Sequence, residues 1–267
     1  MLIKNNNTIT ATEIATKLNE KYPNLNVSER TVQRTLTDDL QYVVCHPLRI
    51  PLLQPIHINK RLEWAQNHAQ DTWSTTIFSD ETTLQMFRNT QLVRYRRGNS
   101  RPCRGMVKHP YEVHAWGAFT AQGPVALSLF TENLNAQRYC EILESFLIPN
   151  IPKVGRRWRF QQDNSPIHTS QVTQRLFEAH NIRVMDWPSN SPDLNPIENL
   201  WAILKKKVEK KVGIWLMKKK KLTITEFQAI IKQEWEGLDR DLYLKLLRSM
   251  KNRIDQVIER EGKKCDY

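Results

Sequence analysis

Between Trp73 and Trp187 apolar residues arrive in short runs of two kinds, and their order leaves few folds open. Three strand-like runs come first: TTIFSD (75–80), EVHAWGAFTA (112–121) and PVALSLF (124–130), the last two split by a Gln122-Gly123 turn. Asn135 then opens a helix whose Tyr139, Ile142, Leu143, Phe146 and Leu147 recur at i, i+3, i+4, i+7 and i+8, with Pro149 as its expected end. A fourth strand, WRFQQD (158–163), is followed by a helix over 169–180 and a fifth strand, IRVMDW (182–187). After the turn SPDLNP comes a basic helix, IENLWAILKKKVEKK (197–211). Hairpin strands that give way to β/α alternation predict an α/β domain, a mixed central sheet with helices on its faces.

Two helical segments flank this core. At the start, Ile14 and Leu18 share one helical face, Pro23 and the Asn-rich NLN stretch break the helix, and Ser28 caps a second helix with Val32 and Leu36 inward. That is a loose helix-turn-helix, its connection longer than the usual turn. PLRIPLLQP (47–55) reads as an extended linker into a helix with Ile58, Leu62, Ala65 and Ala69 in register. At the end, residues 223–262 form helices with two apolar stripes, Phe227, Ile230, Ile231, Trp235 and Leu238, then Leu242, Leu246, Met250, Ile254 and Val257. The expected division is therefore 1–46, a helix-turn-helix domain; 47–72, linker and connecting helix; and 73–267, the sheet domain with its helical tail.

Lys and Arg number 40 against 28 Asp and Glu, a net charge of +12. Such an excess points to a polyanionic partner, nucleic acid before an anionic membrane. The opening residues carry no signal-peptide pattern, and no apolar run approaches the ~18 residues of a membrane span. Cys45, Cys103, Cys140 and Cys265 form no CxxC pair, which argues against a disulfide framework or a structural zinc site and suits reduced thiols inside a cell.

Three acids stand at loaded positions: Asp80 ends the first strand, Asp163 ends the fourth, and Glu198 opens the helix after SPDLNP. If the first and fourth strands are neighbours, their terminal carboxylates lie side by side and the helix can lean in the third. Converging carboxylates repel unless cations sit among them, and hard oxygen ligands suit Mg²⁺ or Mn²⁺. Each acid also has a plainer reading. Asp80 suits a solvated turn and has Glu81 as a rival; Asp163 suits an Asx turn before Ser165 and Pro166; Glu198, three residues after Asn195, suits a capping box.

The words around these acids, FSDE, QQDNSPIH and WPSNSPDLNPIENLW, closely resemble the signature segments of Tc/mariner-superfamily transposases, and 34 residues separate Asp163 from Glu198, the spacing of the Tc branch. The likeness continues to SMKNRIDQVIEREG near the C-terminus. This resemblance implies a ribonuclease H-like catalytic domain and a metal-dependent enzyme. It cleaves phosphodiesters at transposon ends and transfers the released 3′-hydroxyl into target DNA. It also implies that Asp80, Asp163 and Glu198 are the catalytic metal ligands, holding Mg²⁺ or Mn²⁺, two ions, with Asn164 and His168 in supporting roles. The partners implied are the terminal inverted repeats and target DNA, with a homodimer or higher homo-oligomer, no membrane, and action in the nucleus. Family members usually carry two helix-turn-helix units, and only the second is expected here. Two alternatives remain at this stage: a domesticated or remnant transposase that only binds DNA, and a ribonuclease of the same fold.

For DNA contact, inward Val32 and Leu36 leave Arg30, Gln33, Arg34 and Thr37 facing out, and Arg and Gln can read base edges in the major groove. A second patch, RNTQLVRYRRGNSRPCRG, offers Arg94, Arg96, Arg97 and Arg101 to phosphates. The lysines of 205–211 and 218–221 suit DNA contact or nuclear import.

Overall fold

The computed structural model describes residues 8–44, 52–86, 111–154, 157–218 and 222–266. The chain forms two compact units, Met1–Pro51 and Leu52–Tyr267.

In the first unit, α1 (Ala11–Lys21) starts on a capping box: the Glu13 N–H donates to Thr10 Oγ1 at 3.2 Å, and the Thr10 N–H to the Glu13 carboxylate at 2.7 Å. Helix α2 (Glu29–Arg34) is capped by Ser28 and runs on into a π-helical turn, Thr35–Asp39. Asn19 braces the connection between them, its side chain accepting from the Val27 N–H and donating to the Val27 carbonyl. Ile14, Ala15 and Val32 are buried, with Leu18 and Leu36 packed around them.

The second unit is built on a four-stranded sheet of order β3-β2-β1-β4: β1 (Thr76–Gln85), β2 (Glu112–Thr120), β3 (Gly123–Phe130) and β4 (Arg159–Gln161). β1 pairs antiparallel with β2 and parallel with β4, so the first and fourth strands are indeed neighbours. The hairpin between β2 and β3 closes on Gly123, whose φ of 130° only glycine adopts without strain. The fifth strand is reduced to a single parallel bridge, Val184 to Phe160. It ends early because side chains capture the next carbonyls: the Trp64 indole N–H donates to Asp186 O, and the Asn164 amide to Trp187 O.

Side chains alternate across a sheet, and here each face has its own core. Phe78, Leu84, Val113, Ala115 and Phe119 meet α7 (Ile197–Lys218), α8 (Ile224–Glu236) and α9 (Arg240–Glu259). Ile77, Trp116, Ala118 and Phe160 meet α4 (Ala136–Ile142) and α6 (Gln171–Ala179). Helix α3 (Pro55–Asn67), in the segment expected to be a connector, packs against α9 inside this unit and buries Arg61, Trp64 and Ala65. After α4 the chain winds through a π-helical turn, Leu143–Leu147, then a 3₁₀ turn and α5 (Ile151–Val154), so Pro149 does not end it. The wider π turn breaks the 3.6-residue register, which keeps Leu143 and Leu147 inside and turns Phe146 to solvent.

Candidate active site

Phe78 pairs with Gln161, the last residue of β4, so Asp163 lies in the loop just past that strand, level with Asp80; Asp80 does not end its strand as expected, because β1 stays paired with β2 as far as Gln85. Glu198 arrives from the first turn of α7 and is an electrostatic neighbour of Asp80. Burial, then the charges of Glu81, Glu198 and Asp163, push the Asp80 carboxyl well above the ordinary carboxylate range. Burial also raises Glu198, against the pull of Lys205 and the Asp80 hydrogen bond. Both shifts say that this pair is short of positive charge.

Three packing features place α7 close enough for that contact. Asn195 donates from its amide to the carbonyl of Ser79, the residue before Asp80, at 3.2 Å, and its own Oδ1 accepts from the Ile197 N–H at 3.4 Å. Ser79 is tied on its other side to β4, its hydroxyl donating to Gln161 O at 2.8 Å. Opposite Asp80 in the antiparallel register stands Gly117, where a Cβ would lie 2.5 Å from the Trp201 ring. Glycine there lets Trp201, one turn after Glu198, lie against the sheet.

The SPDLNP turn is the anchor of this arrangement. The Arg61 guanidinium is fully buried and donates to Ser191 Oγ (2.6 Å), to both Asp193 oxygens (2.9 and 2.7 Å) and to Gly262 O (2.9 Å). Asp193 also accepts from the Cys265 N–H, while Arg253 donates to Asp193 O and Asn199 Oδ1. Asp193 is thus fully engaged and is not a spare ligand for the site. The capping-box reading of Glu198 fails as well. The Asn195 N–H that such a box would use donates to Pro192 O, and the Glu198 carboxyl turns to Asp80.

Asp163 faces a different partner. Its Oδ1 accepts from His168 Nδ1 at 2.6 Å and from the Ser165 N–H at 2.9 Å, so the Asx turn exists alongside whatever else Asp163 does. Burial works against a charged His168 ring, but its hydrogen bonds to Asp163 and Glu81 outweigh that and raise its pKa to about 10. The ring is therefore protonated at neutral pH and donates at both nitrogens, to Asp163 and, at 3.2 Å from Nε2, to Glu81. Although burial also opposes it, Asp163 is held below the usual carboxylate range by His168 and Ser165. Asn164 is a strut, its amide donating to Trp187 O at 2.6 Å. Among the described residues no three His, Cys, Asp or Glu side chains converge as one metal shell: Asp80 and Glu198 face each other, while Asp163 is turned to His168.

Of the expected DNA-contacting residues, Arg30, Gln33, Arg34 and Thr37 are exposed and line one shallow concavity of the first unit. Gln33 Nε2 donates to Glu29 Oε1 at 2.8 Å. Arg94, Arg96, Arg97 and Arg101 lie outside the described residues. Lys206, Lys207 and Lys210 are exposed along α7. The spacing of sequence motifs missed Arg61, Arg253 and Gly117, whose partners are distant in the chain. It left Glu81 undecided, which the alternation of β1 resolves.

A mixed sheet with one acid on its first strand, one just past its fourth and one on a facing helix defines a nuclease of the Asp-Asp-Glu class, built to cut and join phosphodiesters. A family model described as DDE superfamily endonuclease matches residues 75–215, and one described as Transposase matches residues 1–70. The chain is 32% identical over 248 residues to the transposable element Tc3 transposase of Caenorhabditis elegans, covering 91% of this chain and 73% of that protein. It is 30% identical over 276 residues to the Tcb1 transposase of Caenorhabditis briggsae, covering 97% and 94%. A crystal structure of the mariner Mos1 paired-end complex with Mg matches the fold at a TM-score of 0.78 and 16% identity, covering 99% of this chain and 78% of that one. The chain belongs to the Tc1/mariner family of DNA transposases, enzymes that cleave DNA and transfer the cut strand. The two alternatives left by the sequence, a binding-only remnant and a ribonuclease, are not favoured.

Proposed function

We propose that Asp80, Asp163 and Glu198 hold the divalent metal, Mg²⁺ or Mn²⁺ as two ions, on which cleavage at the transposon's terminal inverted repeats depends. The observation that carries this reading is that Asp80 on β1 and Glu198 on the first turn of α7 are neighbouring carboxyls, both raised by burial. A dication relieves that repulsion and desolvation, so the donor set fits a hard metal. When bound, the metal activates water and stabilises the leaving oxygen. Asp80 sits on a central strand and Glu198 on a helix pinned through Asn195, so neither ligand needs to be ordered by substrate. Asp163 keeps Oδ2 without a hydrogen bond among the described residues, the oxygen available to a metal.

In this reading Arg30, Gln33, Arg34 and Thr37 read base edges, and the exposed lysines of α7 meet phosphates. Arg94, Arg96, Arg97 and Arg101 remain proposed phosphate contacts on sequence grounds. Two copies act together, as the paired ends of the Mos1 complex suggest, and we assign the action to the nucleus on the resemblance alone. The test is metal-dependent nicking by Asp80→Ala and Asp163→Ala, both expected to lose nicking while DNA binding persists. Undiminished nicking by either variant overturns its place in the triad.

A further inference from the structure

We infer that Glu81 is a positioning residue of the cleavage site: acting through His168, it fixes which oxygen of Asp163 is presented to the metal. The inference rests on the reading of Asp163 as a ligand. Glu81 is adjacent to Asp80 in sequence and looks like a spare ligand, but strand alternation sends it to the opposite face of β1. There it meets the α4 and α6 side of the sheet, and its Oε1 lies 3.2 Å from His168 Nε2.

His168 is gripped on every side. Its side chain is 3% exposed, its ring packs against that of Tyr139 with centroids 4.3 Å apart and planes tilted by 39°, and its backbone N–H donates to Ser165 O. Tyr139 in turn donates its hydroxyl to Gln162 Oε1 at 2.6 Å, and Gln162 donates to His168 O at 3.4 Å. The ring thus spans two carboxylates, Glu81 from β1 and Asp163 from the loop after β4. With Glu81 on the far nitrogen, Nδ1 is aimed at Asp163 Oδ1, the oxygen that Ser165 also engages. Oδ2 is left for the metal. Outer partners that orient a ligand in this way are worth about 10–100-fold in metal affinity or activity.

The experiment uses the full chain on supercoiled plasmid DNA with Mn²⁺. Three quantities are followed: the Mn²⁺ dependence of nicking, direct Mn²⁺ binding from the resonance of free Mn²⁺, and the His168 ring nitrogens in the metal-free protein by NMR. His168→Asn assigns those nitrogen signals. Glu81→Ala is expected to shift the His168 signals and to raise the half-saturating Mn²⁺ for nicking and binding together, by ~10–100-fold, with nicking returning at high Mn²⁺. Glu81→Gln keeps an acceptor oxygen at the same place and is expected to stay near the unsubstituted chain. An unmoved Mn²⁺ curve for Glu81→Ala overturns the proposal, whether or not its melting temperature falls. So does loss of nicking at every Mn²⁺ concentration, which makes Glu81 a ligand. If Asp163→Ala nicks normally, the ligand reading falls and takes the proposal with it. If Asp163→Ala is dead while Glu81→Ala keeps its Mn²⁺ curve, only the positioning role falls.

Discussion

Replacing Arg61 with Met tests whether the turn before Glu198 is held by a buried charge. Arg61 and Asp193 are 0% and 3% exposed along their side chains and meet through two hydrogen bonds of 2.9 and 2.7 Å. Methionine fills much of the stem volume but leaves the Asp193 carboxylate buried with the Cys265 N–H and thiol as its remaining partners. Removing one member of such a pair costs about 3–5 kcal/mol. For a unit of this size about 2–4 °C accompanies each kcal/mol, so the melting temperature should fall by ~6–20 °C. Asp255→Ala is the control, because its pair with Lys251 at 3.2 Å is exposed, 71% and 51%, and is worth about 0–1 kcal/mol. Thermal unfolding followed by tryptophan fluorescence reports all of these. Adding Asp193→Leu to Arg61→Met should recover part of the loss, since no charge then remains buried. An Arg61→Met melt no lower than that of Asp255→Ala would refute the reasoning.

Three further outcomes are expected. Gly117→Ala drives a methyl into the Trp201 ring, and should cost about 1–3 kcal/mol and lower nicking further than a stability-matched core variant does, read from melts and nicking side by side. Burial, then the neighbouring Asp193, pushes the Cys265 thiol up to about 12, so it should resist alkylation in the native chain at about pH 8 and react once unfolded, as peptide mass spectrometry would show. DNA affinity should fall by about 10³–10⁵ between roughly 50 and 200 mM salt for ~6–10 phosphate contacts; removing residues 1–51 should reduce sequence preference more than total affinity, and equal discrimination by the shortened chain would remove the reading role from Arg30, Gln33, Arg34 and Thr37.

Much of the sheet was legible because its strands are half-buried and alternate cleanly. Phe78, Asp80 and Leu84 lie on one face, Ile77 and Glu81 on the other, and this period-2 rule alone separates Asp80 from Glu81. The fifth strand was over-read from IRVMDW, since its apolar residues pack but its later carbonyls bond to side chains. Arg61 was illegible for a different reason. Its ion-pair partner lies 132 residues away, and an arginine on an inward helix position gives no local sign of what will neutralise it. The capping-box spacing of Asn195 and Glu198 was real but misleading, because the Asn195 N–H is taken by Pro192 O and its side chain by a tertiary hydrogen bond to Ser79.

The same residues explain why so long a motif surrounds so few acids. Asp80, Glu81, Asp163 and Glu198 crowd around the point where β4 ends beside β1, with the His168 cation as the close counter-charge to two of them. Left to itself, such a cluster would separate, since each carboxyl gains hydration by moving apart. It is held by groups that do no chemistry: Asn195 on the Ser79 carbonyl, Trp201 against Gly117, and Arg61 and Arg253 on the backbone and side chain of Asp193. Most of SPDLNPIENLW is therefore the frame that keeps one glutamate beside one aspartate against their repulsion. A substitution in that frame should change cleavage by moving Glu198, and its effect on metal binding should exceed its effect on DNA binding.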